Sequence, residues 1–234
     1  MQNIKNLKQY KKDGFLILRN FLKDSEKNDF SSTLIKVYSK CLGESINPNN
    51  IHLIINKLEK EKKYDLLYRA FQKYCKSNCY KKLFLRLKSL AKKIHKNKKF
   101  KIVNTGLSIG LKSSKRTAYK WHQEKPYYKN LETVHFQFPV LGICNKKNGT
   151  MSVLKSSHSL GFQKNLNNYK IQKKAINSFV PKNITKLKKQ FKEVHVSLNK
   201  KDIVMFNQYL LHKTNNNKSN KIRFAGNMRL KVFS

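Results

Sequence analysis

Two residues of the segment Lys120-Trp-His-Gln-Glu-Lys-Pro-Tyr-Tyr could do chemistry together, His122 and Glu124. On an extended chain they share a face, so an imidazole and a carboxylate are offered to the same point. Such a pair supplies two adjacent ligands to a divalent metal, and a second imidazole would complete a facial triad with open coordination positions. Alone the spacing is weak, because two strand-end side chains hydrogen-bonded to each other show it too. A further imidazole is His212, which ends the apolar stretch that begins at Asp202. Arg223 follows in Ile222-Arg-Phe-Ala-Gly-Asn-Met-Arg-Leu, where Arg223, Ala225, Asn227 and Arg229 alternate onto one face. A guanidinium turned inward cannot shed its charge and requires a counter-anion. The chain has only 12 Asp and Glu against 52 Lys and Arg, so a bound dicarboxylate gripped by two parallel hydrogen bonds would answer that need.

These residues must be positioned by something, and the pattern of apolar residues says what. Asp13-Gly-Phe-Leu-Ile-Leu-Arg-Asn-Phe-Leu reads as a turn and a short strand, followed by a helix capped at Asp24 or Ser25 and running to about Cys41. From Ile51 to about Lys98 apolar residues recur at helical intervals (Leu58, Leu67, Phe71, Tyr74, Leu83, Leu87), with Lys on the other faces. After Phe100 the period falls to about 2. Strands are predicted over Lys101 to Leu111, Ala118 to His122, Leu131 to Leu141, Met151 to Leu154 and Val194 to Leu198, with three more between Asp202 and Val232. In Leu131 to Phe138, Val134, Phe136 and Phe138 face one way and Thr133, His135 and Gln137 the other. That second face fits a barrel interior built round a polar site. The Lys/Asn-rich stretch near 163–190 reads as an insertion, a lid or a partly helical loop. Helices and strands are segregated, which makes the fold class α+β with antiparallel sheets.

Composition excludes several alternatives. With 39% hydrophobic and 11% aromatic residues in 234, the chain is too core-like for a disordered tail. No apolar run approaches the roughly 18 residues that span a bilayer, and Met1-Gln-Asn-Ile-Lys lacks the apolar block of a signal peptide. The expectation is a soluble, cytoplasmic protein with no membrane partner. Cys41, Cys75, Cys79 and Cys144 show no zinc or redox spacing, although Cys75 and Cys79 would share a helix face. The net charge of +40 has two readings: a polyanion-binding surface, or a Lys-, Asn- and Ile-rich coding bias that describes the genome.

Four segments, in order, resemble the phytanoyl-CoA dioxygenase family. Asp13 to Leu22 looks like its N-terminal strand, Trp121-His-Gln-Glu like its Trp-His-Gln-Asp motif, Asn148-Gly-Thr-Met-Ser-Val-Leu-Lys-Ser-Ser-His like its Asn-Gly-x-Leu-x-Val-x-Pro-Gly-Ser-His segment, and Asp202 to Arg223 like its distal His and Arg segment. The resemblance implies a double-stranded β-helix of the jelly-roll or cupin kind. Residues 1–234 would form one domain, with 1–99 as mainly helical support on the major sheet and 100–234 as the β-helix core. It further implies that His122, Glu124 and His212 bind Fe(II), and that Arg223 and Thr214 hold the distal carboxylate of 2-oxoglutarate. The implied activity is O2-dependent hydroxylation of an unactivated C–H bond, in a small-molecule or carrier- or CoA-linked substrate, with 2-oxoglutarate decarboxylated to succinate.

Three departures stand against the pattern: Glu124 replaces the usual Asp, Lys155-Ser156 replaces Pro-Gly, and Lys201 replaces the Gly before Asp202. The alternative is an inactive barrel that binds nucleic acid or another polyanion. It is disfavoured because Lys is spread over all elements without an Arg-rich, aromatic-interleaved groove. Around the site, Tyr127 and Tyr128 are expected at the substrate mouth or in the core, and Asn104 and Lys112 near cosubstrate or substrate; His135, on the mixed face, is either a structural residue of its strand or one that approaches the site. Trp121 is expected to pack against the sheet, His158 to orient its loop, and His52, His95 and His195 to be surface or cap residues. A Lys-rich mouth would favour an anionic substrate. Nothing in the sequence settles the oligomeric state.

Overall fold

The structure, a computed structural model, describes residues 2–96, 98–112, 114, 117–128, 130–164 and 180–233. Helix α1 (Gln2–Asp13) precedes strand β1 (Phe15–Leu18) and α2 (Asp24–Leu42). The α2 start is secured where the Glu26 carboxylate accepts the Lys23 N–H at 2.8 Å. It ends at Gly43, whose φ of 68° is a left-handed cap that a side chain would resist. Three further helices, α3 (Ile51–Lys60), α4 (Tyr64–Cys75) and α5 (Asn78–Ile94), complete the helical layer. Their buried residues fall at helical spacing, as in Tyr80, Leu83, Leu87 and Ala91 of α5. Cys75 and Cys79 do not share a helix face, because α4 stops at Cys75 and α5 opens after Ser77. All four cysteines are free.

The strands form two antiparallel sheets. The larger has the order β1-β6-β3-β8-β2, with β2 (Lys99–Gly110), β3 (Glu132–Leu141), β6 (Ile203–Asn207) and β8 (Arg223–Phe233). The smaller is β5-β4-β7, from β4 (Met151–Leu154), β5 (Glu193–His195) and β7 (His212–Thr214). Between β2 and β3 lies the short helix α6 (Lys125–Tyr128), and before β5 lies α7 (Ile184–Gln190). The α7 helix occupies the end of the predicted insertion; residues 165–179 of that stretch lie outside the described residues.

Each face of the large sheet has its own partner. Val134, Phe136 and Phe138 of β3 pack with the helices in one apolar cluster. There Phe138 meets Phe30 of α2 at 4.7 Å between ring centroids and Tyr80 of α5 at 6.1 Å, contacts of about 0.5–1.5 kcal/mol each beyond burial. On the other face Phe15, Val204, Phe206 and Ala225 join Met151 and Val153 of the small sheet in a second cluster. The two sheets therefore face each other across an apolar filling, with the helices outside: the double-stranded β-helix arrangement, open at its edges rather than closed into a barrel.

One predicted strand is absent. Ala118 to His122 is not a continuous strand but pairs at points, through a single bridge of His122 to His212 and the Thr214 N–H to the Tyr119 carbonyl at 3.0 Å. No described helix is long and apolar enough to cross a membrane.

Candidate metal and cosubstrate site

The sparse pairing of the Tyr119–Glu124 segment is what builds the site. His122 N–H donates to the His212 carbonyl at 2.9 Å and His212 N–H returns the bond at 3.0 Å. Two histidines 90 positions apart in the chain are thereby locked side by side, with ring centroids 4.2 Å apart. Glu124 N–H donates to the Gln208 carbonyl at 3.0 Å, which fixes the carboxylate beside them. One ligand atom each from His122, Glu124 and His212 lie within 4.8 Å of one another, and all three residues are buried.

The tautomers suit metal binding. His122 Nδ1 lies 2.7 Å from the Lys120 carbonyl and His212 Nδ1 lies 2.9 Å from the Leu210 carbonyl. A carbonyl only accepts, so each Nδ1 carries the proton and each Nε2 keeps its lone pair. Burial, reinforced by the His212 ring, pulls the His122 pKa down to about 3, so it is neutral at physiological pH. Burial pushes the Glu124 carboxyl up, but the Arg229 guanidinium 3.2 Å away, together with the neighbouring His135 and His212, outweighs it and holds it well below the usual carboxylate range. Two imidazoles and one carboxylate oxygen donor are the donor set of a facial triad, and this chain's residues fit a divalent iron.

Arg223 meets the second requirement. It is 2% exposed, and its Nη1 donates to the Gly149 carbonyl at 2.7 Å. Gly149 is held at φ 78°, and a Cβ there would stand 2.5 Å from the Asn215 carbonyl oxygen, which accounts for glycine in the Asn148-Gly pair. Nε and Nη2 of Arg223 have no hydrogen-bond partner among the described residues. Burial pulls its pKa down without discharging it. Orphaned, charged donors of this kind fit a carboxylate ligand.

A cavity of about 490 Å³ collects most of the expected residues. His122, Glu124, His212 and Thr214 line it, with Asn104, Tyr127 and Tyr128. Arg223 is buried but is not among the lining residues, and Lys112 is elsewhere, bonded to Asn220. His135 approaches the site, with Nδ1 3.8 Å from Glu124 Oε2 and Nε2 2.8 Å from Thr133 Oγ1. Burial lowers its pKa to about 3, so this is not an ion pair. Trp121 packs with Leu154, Leu187 and Leu211, and His158 binds the Lys11 carbonyl at 2.9 Å. His52 and His195 hold internal bonds, to the Ile222 N–H and the Ser152 hydroxyl respectively, at 2.9 Å each.

Sequence reasoning missed Arg229, Gln137, Asn227 and Tyr119, all on the cavity wall. The signal for Arg229 and Asn227 was present in their alternation with Arg223. Among the described residues no lysine lines the cavity, and the lining cation is Arg229.

Two imidazoles and a carboxylate between the sheets of a double-stranded β-helix are the donor set that a non-haem iron centre of the cosubstrate-dependent kind uses. The family model described as phytanoyl-CoA dioxygenase matches residues 10–225. The chain belongs to that family, and so to the Fe(II)/2-oxoglutarate-dependent oxygenases. No curated protein sequence matches it. Solved structures share its fold: the epimerase SnoN in complex with Fe3+, alpha ketoglutarate and nogalamycin RO (10% identity, TM-score 0.65, 97% of this chain and 82% of that one); the alpha ketoglutarate-dependent carbocyclase SnoK from nogalamycin biosynthesis (14%, 0.67, 97% and 83%); and EctD from S. alaskensis with 2-oxoglutarate and 5-hydroxyectoine (12%, 0.66, 97% and 75%).

Proposed function

We propose that this chain is one catalytic domain, residues 1–234, that hydroxylates an unactivated C–H bond of a small molecule in the cytoplasm. His122, Glu124 and His212 hold Fe(II), and Arg223 with Thr214 takes the distal carboxylate of 2-oxoglutarate. The observation that carries this reading is the conjunction of a buried His-Glu-His cluster with a buried arginine keeping two unpaired donors.

Bound iron, with 2-oxoglutarate and O2, supplies an oxidant strong enough to take hydrogen from such a bond while the cosubstrate becomes succinate and CO2. The protein's own part is positional. The Lys120 and Leu210 carbonyls orient the two imidazoles so that both Nε2 atoms converge. Arg229 restrains the Glu124 carboxylate, which offsets the freedom of the methylene that Glu has and Asp lacks. Tyr119, Tyr127 and Tyr128 wall the cavity and limit water around the reacting atoms.

Anaerobic addition of Fe(II) and 2-oxoglutarate to the metal-free protein tests the reading. It predicts the weak visible charge-transfer band of the chelate, followed by succinate on admission of O2. A folded protein that shows neither contradicts it.

A further inference from the structure

Besides the buried Arg223 the site has a second arginine, this one on the cavity wall, whose work is not exhausted by Glu124. Arg229 lines the wall, spends Nη2 on Glu124 Oε1 at 3.2 Å, and keeps Nε without a partner among the described residues. Charge bookkeeping shows why this matters. The two positive charges of Fe(II) cancel the two negative charges of 2-oxoglutarate, while Arg223 and Arg229 together carry one more charge than Glu124. A fully loaded site is left with one uncompensated positive charge in a buried space, which is costly unless a further anion joins it.

The rest of the wall says what kind of anion. Asn104, Gln137, Asn227 and Ser108 are hydrogen-bonding residues, linked in part by Gln137 Nε2 to Asn227 Oδ1 at 3.0 Å and Asn227 Nδ2 to Ser108 Oγ at 2.9 Å. The Gln137 carbonyl oxygen is without a partner among the described residues. Among the described residues the purely apolar lining is Met151 and Phe206, too little to bed a long acyl chain. At about 490 Å³, shared with the cosubstrate, the space suits a small guest.

We infer that the substrate is a small, polar organic acid of net charge −1, bearing a hydroxyl or amide group, whose carboxylate is held by Arg229, and that it is not a long-chain acyl thioester. This rests on the reading above and narrows it. Arg229 is then both the restraint on Glu124 and the residue that selects the substrate by charge.

The test uses protein loaded with Mn(II) and 2-oxoglutarate, so that no turnover occurs. Its probes are a panel of small hydroxy acids and N-acetylated amino acids, each paired with its primary amide, and octanoyl-CoA. Binding is read by thermal shift and by saturation-transfer NMR. The expectation is that at least one acid binds better than its amide, and that Arg229→Gln weakens that acid at least about tenfold, as expected for a lost charge-assisted hydrogen bond. Because Arg229→Gln leaves Glu124 unpaired, Mn(II) affinity is measured for each variant and Mn(II) is kept saturating. Arg229→Lys, which keeps the charge but loses the planar fork, serves if the Gln variant does not fold and should recover part of the affinity. No acid outperforming its amide, an acid insensitive to both substitutions, or octanoyl-CoA binding in place of the acids each overturns the inference. Failure of the wild-type protein to bind 2-oxoglutarate would instead overturn the reading on which it rests.

Discussion

The space between the two sheets contains two adjoining regions that share Met151 and Phe206. In one, Phe15, Val153, Val196, Leu198, Val204 and Ala225 fill the gap with apolar side chains. In the other, His122, Glu124, His135 and His212 are buried beside the partly exposed Arg229, with polar groups not fully spent on one another. The first region is scaffold, and each buried methylene there stabilises the fold by about 0.8 kcal/mol. The second costs stability, because desolvated polar atoms without full partners are unfavourable, and it persists because the first holds it together. Strand β8 contributes to both, with Ala225 in the filling and Asn227 and Arg229 on the cavity wall.

Acid should separate the two regions most strongly. His122 and His135 titrate near 3 in the folded protein and near 6.5 when unfolded. Between those values the unfolded chain binds protons that the folded one refuses, so stability falls as pH drops below about 6.5. Glu124, held low, adds a loss in the same direction once pH falls below its unfolded value. For metal-free protein, urea unfolding between pH 7 and pH 5 should show a loss on the order of 2 kcal/mol per histidine. Stability that stays flat across that range would mean the polar region is not buried as described.

A smaller effect should appear on the scaffold side. Ser156 holds φ 69° where the resemblance to the family expects glycine, and its N–H donates to the Asp13 carbonyl at 2.9 Å. An L side chain pays roughly 1–2 kcal/mol for that conformation, partly offset by the greater chain entropy of glycine. Ser156→Gly should therefore raise stability by about 0.5–1 kcal/mol and leave 2-oxoglutarate affinity unchanged, as checked by urea unfolding and titration. Loss of stability on this substitution would show that the Ser156 side chain does more than occupy a turn.

Much of this was legible in the sequence because it is periodic. The alternation in β3 separated Val134, Phe136 and Phe138 from Thr133, His135 and Gln137, and the structure puts the first set under the helices and the second toward the other sheet. The alternation in β8 likewise put Arg223 and Arg229 on one face. What could not be read was partnership across the fold. Glu124 and Arg229 are 105 positions apart, and no local pattern links them. The stretch Ala118 to His122 looked like a strand because its composition is that of one, yet it is fixed by isolated bonds to β7. Helix α1 was missed as well: Ile4, Leu7 and Tyr10 recur at helical spacing, but over a short run set among Lys and Asn. The net charge of +40 misled in a different way. It drew attention to lysine, whereas the cations that matter at the site are two of the six arginines.

In the proposed reading those two arginines divide the anions between them, Arg223 taking the cosubstrate and Arg229 the substrate. Calorimetric titration of 2-oxoglutarate into Mn(II)-saturated wild-type, Arg223→Gln and Arg229→Lys proteins tests it most directly. The predicted result is a loss of about a hundredfold or more for Arg223→Gln, corresponding to two charge-assisted hydrogen bonds, and a change of no more than about threefold for Arg229→Lys. Equal losses in both variants, or 2-oxoglutarate affinity indifferent to Arg223, would contradict it.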